Sequence, residues 1–270
     1  MKVHKDTSNA SFMGMRFEDE SMSASSKSIF NIKANEQFTP TLEILNSFDT
    51  KQKYRILFLF DYQQPVVFSV DGKEHTYIDL NINSNSKEKI DIIFPKLSIG
   101  QHDMTTIMIR DPDRVLKKPN FKMGALNAVV TKKNIIVSTN KINPPQFINV
   151  EPEPNTANYG NNIILNNGPS IDLKKPLSLI NNKVTDNIWG SFEKEIETSK
   201  YAVITLNFDQ IKSVTKFIST NSSKGVIKLP IEVPKGNQVP SKFVVIGIKN
   251  PFTTDNRPPL LSNIISIVDN

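Results

Sequence analysis

Residues 90–112, IDIIFPKLSIGQHDMTTIMIRDP, and residues 229–251, LPIEVPKGNQVPSKFVVIGIKNP, run together under a constant shift of 139 positions. The shift carries Pro95 and Lys96 onto Pro234 and Lys235, and Arg110, Asp111 and Pro112 onto Lys249, Asn250 and Pro251. A repeat of so long a period marks a duplicated domain and not a solenoid. Three shorter pairs keep the same order along the chain. Tyr54–Gln63 (YRILFLFDYQ) matches Tyr201–Gln210 (YAVITLNFDQ), Thr41–Asn46 (TLEILN) matches Pro176–Asn181 (PLSLIN), and Asn134–Asn140 (NIIVSTN) matches Asn263–Asn270 (NIISIVDN). The alternative to duplication is two similar sandwiches without common descent.

Length points the same way, because 270 residues exceed what one hydrophobic core usually serves. The segment 141–158 holds Pro144, Pro145, Pro152 and Pro154, which withhold amide donors and interrupt any sheet or helix through it. The expected division is a flexible tether over 1–26, with residues 12–20 available to pair as a first strand, then one domain over 27–142 and another over 143–270. A hinge is expected at the prolines, with Phe147–Val150 opening the second domain.

Within each half the apolar pattern has a period of two. Thr76, Ile78, Leu80 and Ile82 alternate with Tyr77, Asp79 and Asn81, and Ile90, Ile92 and Phe94 alternate with Lys89, Asp91 and Ile93. Turn signals separate the runs: Asp71-Gly72, Asn83–Ser86 and Pro95–Gly100. Two stretches, Asn187–Ser199 and Asp209–Ser219, suit either a short helix or a strand. The pattern predicts an all-β chain of two tandem immunoglobulin-like antiparallel β-sandwich domains.

Leu97-Ser98-Ile99-Gly100-Gln101-His102, followed by an apolar run to Arg110, resembles the L-x-x-G-x-(Tyr/His) corner of immunoglobulin-like and fibronectin-type modules of Gram-positive bacterial surface proteins and lipoproteins. The resemblance covers about 14 residues. It implies that His102 bonds back to the corner backbone. The second copy, Lys235–Pro240, has no polar aromatic residue for that bond.

Cysteine is absent, which excludes disulfides, thiolate metal sites and cysteine nucleophiles. No run of 18 apolar residues exists to span a membrane. The polar, Ser-rich stretches 1–11 and 21–28 resemble the tether that follows the lipidated cysteine of a bacterial lipoprotein. The expectation is therefore an extracellular, surface-attached protein of a Gram-positive envelope, its signal and anchor lying upstream of this chain, with membrane contact only through such an N-terminal lipid anchor. The net charge of +6 favours an anionic partner such as an envelope polymer, although a protein partner is equally compatible. The basic groups are scattered pairs, Lys117 with Lys118 and Lys132 with Lys133 among them, which read as solvated turns and strand edges. Nucleic-acid binding is not expected, since neither a recognition helix nor basic residues interleaved with aromatics is present.

No enzymatic activity and no cofactor are expected. The three histidines, His4, His75 and His102, are dispersed and cannot build a metal site or an oriented base. Glu193, Glu195 and Glu197 alternate, so carboxylate hydrolysis remains a third reading after binding and carbohydrate recognition. Asp111 and Asp113 flank Pro112 at a strand end and are weak metal candidates; the second copy has lost both charges, and no metal is expected. Trp189, the single tryptophan, is either a core residue or an aromatic platform for a sugar ring. If a carbohydrate is the ligand, Trp189, Tyr159 and Tyr201 are the residues to hold it.

Overall fold

Strand β4 (Gln52–Phe60) buries seven residues in succession, and its neighbours behave alike, which decides how the chain packs. A computed structural model describes residues 12–18, 29–118, 128–154, 159–173, 176–181, 187–195, 198–221, 224–234, 240–255 and 257–269. Among these there is no α-helix. The first half supplies β1 (Met13–Glu18), β2 (Ile29–Ile32), β3 (Thr41–Asn46), β4, β5 (Phe68–Val70), β6 (Lys73–His75), β7 (Ile78–Ile82), β8 (Ser86–Asp91), β9 (Gly100–Arg110) and β10 (Ala128–Val137). The second half supplies β11 (Ile148–Asn149), β12 (Ile164–Asn167), β13 (Leu179–Asn181), β14 (Ile188–Lys194), β15 (Lys200–Asn207), β16 (Lys212–Ser219), β17 (Gly225–Pro230), β18 (Ser241–Lys249), β19 (Leu260–Leu261) and β20 (Ile265–Val268). Both stretches that suited helix or strand are strands, β14 and β16.

The two halves carry one topology. A sheet ordered β1-β3-β8 faces one ordered β2-β10-β9-β4-β7; in the second half β12-β14-β17 faces β13-β20-β18-β15-β16, with β11 added at the edge. In each half an edge strand runs parallel to the last strand, β2 to β10 and β13 to β20, while the other pairings within these runs are antiparallel. Each half is an immunoglobulin-like sandwich. The repeat is also kept in register: Tyr54 pairs with Arg110, and Tyr201 pairs with Lys249. One of the four matched pairs does not join equivalents. Thr41–Asn46 is central in its small sheet, whereas Leu179–Asn181 is an edge strand equivalent to β2; the counterpart of β3 is β14. Two short Ile/Leu-rich stretches resembled each other without sharing a place.

The repeat also explains Asp111 and Asn250. Both have left-handed backbone, φ 51° and 43°, and both N–H groups return to the neighbouring strand, donating to the Lys53 and Lys200 carbonyls at 2.9 Å. Asp and Asn tolerate this conformation better than other side chains, so the position demands a turn residue and not a charge. Asp111→Val should cost about 1–2 kcal/mol, read as a lower urea midpoint, whereas Asp111→Gly should stay near wild type.

Three apolar cores lie in series. Ile56, Phe58, Phe94 and Met108 fill the first sandwich, and Phe192, Tyr201, Phe243 and Ile265 fill the second. Between them a third core joins Leu57, Leu59, Ile107 and Ile109 to Ala202, Ile204, Leu206, Val244 and Ile246. The two large sheets are thus covered on both faces, and four sheets stack as one body. The expected hinge does not act as one: Lys141 in the proline-rich segment accepts the Gln101 N–H at 3.0 Å, and the modules pack face to face. Arg55 fastens the seam from one side. It grips Asp79 through two nitrogens at 2.8 and 2.9 Å, lies over the Tyr77 ring, and donates to the Phe208 carbonyl across the seam at 3.2 Å.

Candidate functional site

Where the two large sheets meet, a groove of about 530 Å³ opens between the Leu97–His102 corner, the turn after β4, the proline segment and β16. Pockets of this size at domain junctions are the usual places for ligands. Much of the polar lining is spent on holding the modules together. The Gln64 side chain accepts from the Ser213 N–H at 2.9 Å and donates to its carbonyl, as a neighbouring strand would. Ser213 Oγ donates to the Gln63 carbonyl at 2.9 Å, Thr215 Oγ1 to the Tyr62 carbonyl, and Gln101 Nε2 to the Phe252 carbonyl at 3.2 Å. Tyr62 meets Phe217 and Phe252 edge to face across the seam, with the two phenylalanine rings tilted against each other and all three centroids 5.2 to 6.0 Å apart.

Behind the groove sits Asp103, wholly buried. It accepts hydrogen bonds from the Tyr62 hydroxyl, from Asn134 Nδ2 and, at 2.7 Å, from the Phe252 N–H of the other module. Lys132 Nζ lies 3.9 Å from Asp103 Oδ2, its side chain 4% exposed, and donates to the Thr253 carbonyl at 2.8 Å. Burial pushes the Asp103 carboxyl up and the Lys132 ammonium down, and their mutual attraction opposes both shifts. Lys132 is therefore a buried fastener of the seam, and the solvated reading of the Lys132–Lys133 pair is corrected.

His102 does what the corner resemblance implies. Its Nε2 meets the Ser98 carbonyl oxygen at 2.9 Å, and its Nδ1 meets Asp61 Oδ2 at 2.7 Å. Ser98 Oγ is 3.3 Å from the same Nε2, which brings serine, histidine and aspartate together as in a hydrolase. In this arrangement Nε2 is turned to another partner, the Ser98 carbonyl. A carbonyl only accepts, so while Nε2 bonds to it the nitrogen carries hydrogen and does not take one from Ser98. With Nδ1 also facing a carboxylate, only an imidazolium satisfies both acceptors at once. The bond to Asp61 raises its pKa, burial opposes, and the Ser98 carbonyl adds to the rise. The corresponding corner of the second half, Lys235–Val239, lies outside the described residues, as do His4 and Glu197.

The residues expected to hold a sugar do not converge. Tyr201 is fully buried against Phe192, with ring centroids 5.1 Å apart, and burial pushes its hydroxyl up to about 12. Tyr159 is buried too, and burial raises its pKa. Neither presents a ring face to a ligand. Trp189 lies half-buried on β14 between its cross-strand partners Asn166 and Pro230. Its neighbours Ile188 and Phe192 point into the sandwich core, so Trp189 faces outward; the core reading fails for it, and the platform reading keeps this one residue.

Asp113 is bound to Lys53 at 2.6 Å, and Asp111 serves the turn. Glu195 is held by Lys249 and, at 3.0 Å, by Arg257 Nη1. Glu193 accepts from the Tyr159 N–H at 3.4 Å. These carboxylates hold structure. Among the described residues no group of three or more His, Cys, Asp or Glu is placed to hold a metal ion.

No protein-family model matches the chain, and no curated protein matches it. The solved structures that are similar to parts of it include two single domains. One is the CARDB domain of a Pyrococcus furiosus protein in complex with di-metal ions, at 6% identity and TM-score 0.27, covering 47% of this chain and 89% of that one. The other is PapD-like (ASH) domain 7 of human CEP192, at 16% identity and TM-score 0.27, covering 48% of this chain and 87% of that one.

Proposed function

We propose that this chain is a non-enzymatic structural and binding protein of a bacterial envelope, exposed at the cell surface, in which two immunoglobulin-like modules act as one rigid block. The third core carries the reading. Two sandwiches that share a buried seam hold their loops and edges at fixed separations, which suits a spacer or docking platform better than a jointed tether. The composition supports the location: no cysteine, a basic surface, and Ser-rich N-terminal stretches resembling a lipoprotein tether. Protease added to intact cells tests it. Degradation of the protein without lysis is the expected result, and protection until lysis contradicts it.

Carbohydrate recognition is the second reading, favoured by the outward placement of Trp189. Binding to purified wall polysaccharide should fall about tenfold or more, the loss of ~1.4 kcal/mol, in Trp189→Ala. Unchanged binding in the variant, or none in the wild type, removes this reading.

A further inference from the structure

The Leu97–His102 corner is tied to both the proline segment and the second module. Gln101 donates its backbone N–H to the Lys141 carbonyl at 3.0 Å and its side-chain amide to the Phe252 carbonyl at 3.2 Å. Gly100 has φ 145° and passes so close to the Lys141 carbonyl that a Cβ there would lie 2.9 Å from its oxygen. The corner is itself closed by His102, whose two nitrogens donate to Ser98 and Asp61. Asp61 in turn accepts the Asp103 N–H at 2.9 Å, and Asp103 accepts the Phe252 N–H. An unbroken run of hydrogen bonds thus leads from a histidine at the groove wall to the loop of the opposite module.

We infer that His102 is a protonation-dependent latch on the inter-module groove: charged, it holds the corner against the proline segment and the Phe252 loop, and on losing its proton it frees them. A neutral imidazole has one N–H for two acceptors. The bond to the Asp61 carboxylate is the stronger, so the surviving proton stays on Nδ1. Nε2 then turns a lone pair on the Ser98 carbonyl, and the corner opens. The charges facing this histidine are Asp61 beside it, Asp103 behind Asp61, Lys132 beyond Asp103, and Lys141 on the groove lining. The second module contributes Ser213, Thr215, Phe217 and Phe252 to the lining, none of them charged. The imidazolium therefore has carboxylates as its nearest charged neighbours, with Lys141 alone opposing from the lining.

The sign follows from linkage. The folded-state pKa is raised above the ordinary 6.5, so the latch is fully closed below 6.5 and is lost as pH rises through the folded value. Histidine NMR and amide hydrogen exchange on the full chain, from about pH 5.5 to 8.5, test this. His102 should titrate above 6.5. After correction for intrinsic exchange, opening at the Gln101 and Phe252 amides should rise by up to about tenfold per pH unit between 6.5 and the folded value. His102→Tyr supplies a donor that does not titrate in this range, and its opening should be flat. A wild-type His102 titrating at or below 6.5, or corrected exchange at both amides that does not change with pH, overturns the latch, whether or not the variant folds.

Discussion

Ile246→Asp should open the molecule along its middle while leaving both sandwiches folded. Ile246 is fully buried in the third core, paired with Ile204 on β15 and Leu261 on β19, and its side chain belongs to neither sandwich interior. A carboxylate there has no cation to meet within that apolar cluster, and an unpaired buried charge costs several kcal/mol. The cheapest escape is to hydrate the seam, because the two inner cores do not depend on it. The expected signature is an increased hydrodynamic radius and a lower urea midpoint, with the far-ultraviolet strand signal retained and the Leu57–Ile107 and Ile204–Ile246 pairings kept within their own sheets. The milder Ile246→Ala should cost about 2–5 kcal/mol in urea unfolding without separation of the modules. If Ile246→Asp keeps the wild-type radius and urea midpoint, the third core does not join the modules.

The second large effect belongs to Asp103→Ala, which removes the acceptor shared by four groups. Tyr62, Asn134 and the Phe252 N–H lose their partner, and Lys132 keeps a buried ammonium without its carboxylate. Breaking a buried pair by deleting one member costs about 3–5 kcal/mol, since the remaining charge is stranded. Lys132 limits the damage by shedding its proton, which burial already favours. The double variant Asp103→Ala with Lys132→Met should therefore be less destabilised than the two single costs together, because the stranded charge is gone. Urea unfolding reads both, and a single-variant cost below about 1 kcal/mol would mean that Asp103 is solvated.

The opening repeat made the duplicated sandwich legible, since strands β9 and β18 recur in register with a proline two residues past each strand end, whereas the strand order within each sheet is not written in periodicity and comes from the structure. Alternation in β7 and β8 correctly marked strands with one wet face. The missed feature was written nearby. Ile56–Phe60, Ala202–Ile204 and Phe243–Ile246 are apolar at consecutive positions, which a strand needs only when both of its faces are covered. Those runs were the signal for the third core, and the prolines after Lys141 masked it by reading as a hinge. His102 was placed correctly because its role is local to the corner. Lys132 was not, because adjacent antiparallel strands bring it beside Asp103, which drew no reading of its own, and neither residue type announces burial. Tyr159 and Tyr201 failed as ligand candidates for the same reason: an aromatic ring in an apolar strand gives no sign of which face it occupies until the partner sheet is known.

One rigid block, and not two modules on a joint, is the claim on which the rest stands. Backbone ¹⁵N relaxation of the intact 30.4 kDa chain measures it directly. The predicted result is one rotational correlation time, that of the whole block, shared by amides of β9 and β18 and by the outer strands β3 and β14. Two shorter and unequal correlation times, one for each sandwich, would contradict it.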